Sequence, residues 1–232
     1  MDCSDFDPQL CIVQLTDFHF GEELQVNYHD RVDDILDTIK LSITSGTVLL
    51  LVTGDIAYSG KKKEYQSASL FFDYLIEQLG KPEYQLIVYL LPGNHDLQGP
   101  RKSTERFVDA QYDFDIKKMA SFYKFANKYD NQFVLGQPDP ITFEVEGTKI
   151  SVSGFNSAPL STLAGDDKGF HLLRSFESGL LGNTPDSGLH IFASHHGPEW
   201  FHDNDRLNLE KMLSNSFDFA FTGHEHVSAG RF

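Results

Sequence analysis

The chain has 232 residues, of which 40% are hydrophobic and 23% are charged. This length and composition are typical of one globular domain and exclude wholesale disorder. The formal net charge of −15 disfavours general coating of nucleic acid, because a field of that sign repels polyanions unless a local positive region or a bound metal overrides it.

The N-terminal region and the apolar runs predict a cytoplasmic protein without a membrane anchor. The longest apolar run, residues 48–52, is much shorter than the roughly 20 residues that a membrane-spanning helix requires. The first ten residues contain three aspartates and lack the basic start of a signal peptide. Cys3 and Cys11 are too few for a disulfide framework, so we expect two reduced thiols.

Short apolar runs alternate with helix-period segments along the chain. Five runs are predicted to be buried strands: residues 10–15, 48–53, 86–91, 189–193 and 217–221. Apolar residues from Val32 to Ile43 share one helix face between the first two runs, and those from Ala68 to Leu79 do so between the next two. This β-α-β-α-β order predicts an α/β fold with a central, largely parallel sheet that is covered on both faces.

Two further segments follow this unit. Residues 97–131 are aromatic and helical in pattern, which predicts a small helical side lobe or lid. The alternating runs 141–145 and 149–154 flank Gly147 and predict a β-hairpin that begins a second sheet.

Candidate site residues lie just past the C-terminal ends of the predicted strands, where open α/β sheets bind ligands. They are Asp17, His19, Gly54, Asp55, Gly93, Asn94, His95, Asp96, His195, His196, Gly223, His224 and His226. Each short motif alone is also compatible with a helix cap, a turn or a solvated histidine. Five strands of one sheet that all end in Asp, His or Asn, however, predict a metal cluster.

A phosphate-binding loop is a poor alternative for the segment from Gly54 to Lys61. Five residues rather than four separate Gly54 from Gly60, and Lys61 is followed by Lys62 instead of the Ser or Thr that would bind magnesium.

The ordered motifs resemble those of the calcineurin-like metallophosphoesterase superfamily. They are Asp17-Phe18-His19, Gly54-Asp55 with Gly60, Gly93-Asn94-His95-Asp96, His195 after an apolar strand, and Gly223-His224-Glu225-His226. The resemblance implies one domain over residues 1–232, folded as a double β-sandwich with flanking helices. It also implies a hydrolase that cleaves phosphoester bonds with a hydroxide held between two divalent metal ions.

The same resemblance implies a role for each ligand residue. One metal would be bound by Asp17, His19, Asp55 and His226, and the other by Asp55, Asn94, His195 and His224. Asp55 would bridge, because a carboxylate can span two ions roughly 3.5–4 Å apart and a neutral imidazole cannot. Ligands without thiolate suit manganese, iron, nickel or zinc, and the sequence does not choose among these.

Catalytic and substrate-binding residues are expected around this centre. His95 would donate a proton to the leaving oxygen, with Asp96 as its orienting partner. His196 would contact the substrate or support the metal ligands. Arg101, Lys102 and Arg106 lie in the stretch 97–128, which carries a net charge of +3 against −18 elsewhere. These three residues would attract substrate phosphate, although a solvated helical face is equally compatible with the pattern.

Phosphodiesters of small nucleotides are the expected substrates, and a metal-dependent nuclease is the alternative enzyme. A non-catalytic protein-binding scaffold on the same fold is the alternative of another class. Only six residues follow His226, whereas the family usually has further strands there, so we expect a fragment of a longer protein. An uncovered edge or apolar face near Phe219, Phe221 and Phe232 would then favour a homo-oligomer or a covering partner domain.

Overall fold

The computed structural model of the chain describes residues 9–21, 27–99, 116–134, 136–162, 167–173 and 188–225. These residues form an α/β protein with four α-helices, a parallel sheet, a mixed sheet and a short two-stranded ribbon. Among the helices of the described ranges, none has the length and apolar character that crossing a membrane requires.

The first sheet is parallel, with its strands in the order β1-β2-β3. The strands are β1 (Leu10–Leu15), β2 (Gly46–Thr53) and β3 (Tyr84–Leu91). Helices α1 (Tyr28–Ser42) and α2 (Lys62–Leu79) connect them, as parallel pairing requires. The predicted β-α-β-α-β order is therefore confirmed. The central strand β2 is buried along almost its whole length, whereas the outer strand β1 is only half-buried.

One face of the first sheet is covered by the helices. The predicted apolar faces are the buried ones: Leu36 and Ile39 of α1, and Phe71 and Phe72 of α2, are at most 5% exposed. Each such side chain contributes roughly 1.5–3 kcal/mol relative to an exposed position. This layer anchors the strands whose ends carry the candidate site.

The described part of the predicted side lobe belongs to the same helical layer. Residues 100–115 lie outside the described residues, and a short 3₁₀ turn leads into α3 (Ala120–Asn127). Phe122 and Phe125 of α3 are buried with Phe72 in one cluster. The aromatic residues of α3 thus complete the core, and the lid or side lobe expected over residues 97–131 stays a prediction. Strands β4 (Phe133–Val134) and β5 (Gln137–Pro138) then form the ribbon.

The second sheet has the order β6-β7-β8-β9. Its strands are β6 (Ile141–Val145), β7 (Thr148–Phe155), β8 (Leu189–Ser194) and β9 (Phe219–Thr222). The first two form the predicted antiparallel hairpin, and the other pairings are parallel. Helix α4 (Asp203–Ser216) connects β8 to β9 and packs on the outer face of this sheet.

The two sheets pack face to face. Leu49 and Leu51 of β2 share a buried cluster with Val152 of β7 and Ile191 of β8. The first sheet is therefore covered by helices on one face and by the second sheet on the other. The strand-end pattern alone placed all five strands in one sheet, but β8 and β9 pair with β7 and not with β3. The two packed sheets agree with the double β-sandwich that the family resemblance implied.

Strand β9 is one of the two edge strands of the second sheet as described. Phe219 is 50% exposed, whereas Phe221 packs against the cluster between the sheets. Phe232, the third residue of the expected apolar edge, lies outside the described residues. Self-association through this edge stays a prediction.

Candidate metal centre

The C-terminal ends of five strands meet at one end of the two packed sheets. Residues that follow β1 and β2 continue the strand pairing: Asp17 N donates to the Gly54 carbonyl (3.1 Å) and His19 N to the Asp55 carbonyl (3.0 Å). On the second sheet, Gly223 N donates to the His195 carbonyl (3.0 Å). Backbone bonds thus hold the polar segments side by side.

The backbone at this end is strained at four candidate ligands. Asp17, His19, Asp55 and His224 have φ values of 56°, 49°, 54° and 71°, in the left-handed region that residues other than glycine rarely adopt. Such a conformation costs of order 1–3 kcal/mol per residue and persists where the surroundings enforce it, typically at functional sites. The left-handed conformation directs these four side chains toward a common point.

Asp55 lies between two groups of ligand atoms. Its carboxylate is 1% exposed, and Oδ1 accepts a hydrogen bond from His95 N (2.8 Å). Oδ2 lies 3.4 Å from His195 Nε2 and 3.9 Å from His19 Nε2. Burial alone would raise the pKa of Asp55, but the charge and hydrogen bond of His195 lower it to about 2. The residue is therefore a carboxylate placed to bridge two sites.

Three potential ligand atoms form a tight group beside Asp55. Asn94 Oδ1 lies 3.0 Å from both His195 Nε2 and His224 Nδ1, and these two nitrogens are 3.2 Å apart. His195 Nδ1 faces the Thr53 carbonyl at 2.7 Å and so must carry a proton. In the neutral ring, the Nε2 lone pair then points at other acceptors, an arrangement that a cation stabilises.

The pKa shifts of the two histidines reflect this crowding. Burial would lower the pKa of His195, but the neighbouring Asp55 raises it to about 8. Burial and the charge of His195 lower the pKa of His224 to about 4. Near pH 7 these pKa values leave His224 neutral and His195 protonated, so a metal that binds His195 Nε2 must displace a proton.

The residues fit a pair of divalent ions. Ligand atoms of Asp17, Asp55 and His195 lie within 4.8 Å of one another, and so do those of His19, Asp55 and His95. Asp55 is common to both groups. Carboxylate, amide and imidazole donors without thiolate suit first-row transition metals. The structure brings together all the sequence-predicted ligands that it describes, and only His226 lies outside the described residues.

Glycine at position 93 is required by the close approach of Asp55. A Cβ added at Gly93 would overlap Asp55 Oδ1 and lie 2.5 Å from Asp55 N. We expect Gly93→Ala to weaken metal binding by about 10–100-fold, because the ligand must shift although no ligand atom is removed. Titration with a metal indicator measures this change. Gly21→Ala is the matched control, since its added Cβ meets nothing within 4 Å; equal affinity in both variants would contradict the argument.

His95 lies at the more open side of the centre. Its Nδ1 is 2.7 Å from the Tyr58 carbonyl, so Nδ1 carries a proton and Nε2 is left for other partners. The ring is partly exposed and lies edge-on to His19, with centroids 4.5 Å apart. His95 is thus placed to reach a bound substrate.

Asp96 does not orient the His95 ring, which corrects the prediction from sequence. The Asp96 carboxylate is fully buried and accepts hydrogen bonds from Ile56 N, Ala57 N, Gly93 N and Tyr65 Oη. Burial and the charge of Asp55 raise its pKa to about 6, although these hydrogen bonds oppose the rise. Asp96 ties the loops after β2 and β3 together, because its four bonds use the lone pairs of both oxygens.

We expect Asp96→Ala to lower the free energy of unfolding by about 3–5 kcal/mol. Three buried backbone N–H groups would each lose a partner at a cost of roughly 1–3 kcal/mol, partly offset by relaxation. Denaturant unfolding of the two proteins measures the difference. Tyr65→Phe removes only one of the four donors and should cost about 1 kcal/mol; an equally small loss for Asp96→Ala would contradict this role.

His196 is fully buried behind the centre and does not face the substrate side. Its Nδ1 lies 2.8 Å from Ser157 Oγ, and burial together with the charge of His171 lowers its pKa well below the usual value. The prediction of substrate contact is therefore wrong for His196, whereas support of the metal ligands remains compatible with its position. Arg101, Lys102 and Arg106 lie outside the described residues.

Trp200 is a site residue that the sequence motifs did not reveal. Its ring packs edge-on against His224, with centroids 4.2 Å apart and an interplanar angle of 84°. The indole N–H donates to Glu225 Oε1 (2.7 Å), and Lys168 Nζ lies 5.2 Å from the ring centroid. The only signal in the sequence is that Trp200 is the single tryptophan and follows the histidine pair after β8.

The fold and the ligand geometry define a candidate centre for two metal ions at one end of a two-sheet α/β fold. The chain belongs to the calcineurin-like phosphoesterase family, whose sequence model matches residues 11–228. Enzymes of this family act on phosphoesters with bound metal, and the clustered His and Asp residues agree with that activity.

A solved structure with a similar fold is a Staphylococcus aureus protein provisionally named a 5′-nucleotidase, in complex with α-ketoglutarate. The TM-score is 0.50 and the sequence identity is 13%, so the similarity is one of fold. The alignment covers 96% of this chain and 46% of that chain, so the chain spans less than half of that protein's length. A comparison with curated proteins found no match.

Proposed function

We propose that the chain hydrolyses small phosphodiesters, chiefly those of nucleotides, at a centre of two divalent ions bridged by Asp55. The carrying observation is that Asp55 belongs to two separate groups of ligand atoms at the shared end of the two sheets. A single carboxylate between two groups of ligand atoms can bridge two ions at the separation of a two-metal site.

Seven residues would hold the ions. Those on the first sheet's side are Asp17, His19, Asp55 and Asn94, and those on the second sheet's side are His195 and His224. The seventh is His226, which the motif Gly223-His224-Glu225-His226 supplies. When bound, divalent ions lower the pKa of water to about 7 and neutralise negative charge on a phosphoryl group. The strained backbone at four of these residues supports preorganisation, since the protein has already met the cost of placing them before an ion or a substrate arrives.

His95 would act on the leaving group. Its Nδ1–H is held by the Tyr58 carbonyl, which fixes the ring and leaves Nε2 to carry the proton that the leaving oxygen takes. Asp55 supports the same loop by accepting from His95 N. This hydrogen bond joins the backbone of the proton donor, His95, to the bridging ligand, Asp55. The proton donor therefore keeps a fixed position relative to the bridge.

A nuclease and a non-catalytic scaffold are less well supported. The net charge of −15 opposes the approach of a polyanion. A scaffold is expected to have lost ligands, whereas every described ligand position here keeps its donor.

The test is an activity screen of the purified chain after reconstitution with Mn²⁺, Fe²⁺, Ni²⁺ or Zn²⁺. Substrates are a nitrophenyl diester, a nitrophenyl monoester, cyclic nucleotides, a nucleoside 5′-monophosphate and single- and double-stranded DNA. The monophosphate is included because the S. aureus protein of similar fold is named a 5′-nucleotidase. We expect the diester and cyclic nucleotides to be cleaved with the highest kcat/KM. Preference for DNA would replace the proposal by the nuclease, and no turnover with any metal would support the scaffold.

A further inference from the structure

A second buried group of potential ligands adjoins the centre but is not used by the proposed reaction. Asp167, His171 and His196 offer ligand atoms that lie within 4.8 Å of one another, and each residue is at most 1% exposed. Asp167 and His171 come from the segment 167–173, whereas His196 follows β8. Charged and polar groups removed from water in this way require close partners.

Ser157 fixes the orientation of both rings. Its carbonyl faces His171 Nδ1 at 2.9 Å, and its hydroxyl lies 2.8 Å from His196 Nδ1. A carbonyl oxygen can only accept, so His171 Nδ1 carries a proton. Metal-ligating histidines are typically held in this way, with one ring nitrogen bound to a neighbouring oxygen and the other directed at the ion.

The remaining atoms of the group are the two Nε2 atoms and the Asp167 carboxylate, and His196 also offers a ligand atom within 4.8 Å of those of His195 and His224. In the neutral His171 ring, the lone pair of Nε2 points at Asp167 Oδ2, 3.1 Å away. The His196 Nε2 is fully buried and has no hydrogen-bond partner among the described residues. A proton on His171 would join that ring to Asp167 alone and would do nothing for His196. A divalent cation within the group would neutralise Asp167 and take a nitrogen from each histidine.

We propose that Asp167, His171 and His196 form a third metal site, which binds a zinc-like divalent ion separately from the pair bridged by Asp55. Two imidazoles and one carboxylate are a common ligand set for zinc and related ions. The carboxylate is itself oriented, because Thr162 N donates to Asp167 Oδ2 (3.0 Å) and Thr162 Oγ1 to Oδ1 (3.2 Å). The site is therefore built on both sides before any ion binds.

The role of this ion is to join the segment 167–173 to the end of β8. Gly169 N and His171 N both donate to the Trp200 carbonyl (3.0 and 3.1 Å), and Trp200 packs on His224. The ion thus supports Trp200, and through it a ligand of the proposed reaction centre. Asp167, His171 and His196 act here as positioning residues.

The experiment is a count of bound zinc by elemental analysis in the full chain and in matched variants. His171→Asn keeps a donor near the Nδ1 position for the Ser157 carbonyl but removes Nε2, and Asp167→Asn keeps an acceptor for Thr162 but removes the charge. His190→Gln is the control, because His190 also has Nδ1 near a carbonyl, that of Ser216 (3.1 Å), but belongs to none of the ligand groups. We expect about three equivalents in the unmodified chain and in the control, and two in the other variants.

Asp55→Ala separates this proposal from the proposed function. It should leave one equivalent, and with Co²⁺ that single ion should give the visible absorption of a four- or five-coordinate site. If Asp55→Ala keeps no ion, or if His171→Asn binds as many as the unmodified chain, the third site is overturned. If a variant does not fold, an anomalous difference map of the unmodified protein at the zinc edge replaces the count. Density between the three side chains supports the third site, and its absence overturns it.

Discussion

Replacing Asp55 with alanine is expected to remove two bound metal ions from each chain and to abolish phosphoester hydrolysis. Asp55 Oδ2 lies 3.4 Å from His195 Nε2 and 3.9 Å from His19 Nε2. The same carboxylate can therefore bind an ion together with either histidine. Loss of a terminal ligand would weaken one site, but loss of the bridge weakens both. Elemental analysis and hydrolysis of a nitrophenyl diester measure the two effects.

Two further variants make the result specific to the bridge. Asp37→Ala removes an exposed carboxylate of α1 that pairs with Lys40 and should change neither metal content nor activity. His19→Ala removes a ligand that lies on one side of Asp55 and should cost one ion. A full metal complement in Asp55→Ala, or a loss of only one ion, would show that Asp55 does not bridge.

Most of the fold could be predicted from the sequence because local periodicity and burial agree. The apolar residues of α1 and α2 recur at helical spacing, and the structure buries the same residues, including Phe71 and Phe72. The hairpin of β6 and β7 was marked by alternation around Gly147, which has a φ of 79° in the turn. These features depend on residues close in sequence.

The division into two sheets could not be predicted in this way. The strand pattern of β8 and β9 is the same whether they extend the first sheet or form a second one. The division into two sheets is decided by packing, because Val152 of β7 and Ile191 of β8 pack against Leu49 and Leu51 of β2. Such contacts join residues about 100 or more positions apart, and no local pattern records them.

The sequence placed the candidate ligands at strand ends, but it did not reveal the partners of the residues beside them. Ligand residues follow strands directly, so their place at the common end is set by the strands. Side-chain direction is set by the backbone and by distant partners: Asp96 turns to N–H groups of the loop after β2, and His196 turns to Ser157. Asp167 and His171 gave no signal beyond a spacing of four residues, since their partners come from other segments.

Replacing His95 with alanine is expected to lower the hydrolysis rate by about 10²–10⁴-fold on substrates whose leaving oxygen must be protonated, with both ions of the Asp55 centre retained. Nitrophenolate leaves without protonation, so the loss on a nitrophenyl ester should be small. The reason is the position of the ring: Nδ1 is bound to the Tyr58 carbonyl at 2.7 Å, which leaves Nε2 to carry the transferred proton. Steady-state kinetics on an alkyl and a nitrophenyl ester of the same phosphate measure the difference.

The metal count distinguishes this role from ligation, because His95 also lies within 4.8 Å of potential ligand atoms of His19 and Asp55. If His95→Ala loses an ion together with activity, His95 is a ligand. If the ions remain but both esters slow equally, His95 positions the substrate and does not donate the proton. His29→Ala is the matched control, since His29 is an exposed histidine at the start of α1 and should behave as the unmodified chain. Only the combination of retained metal and a loss that grows with the pKa of the leaving group assigns the proton transfer to His95.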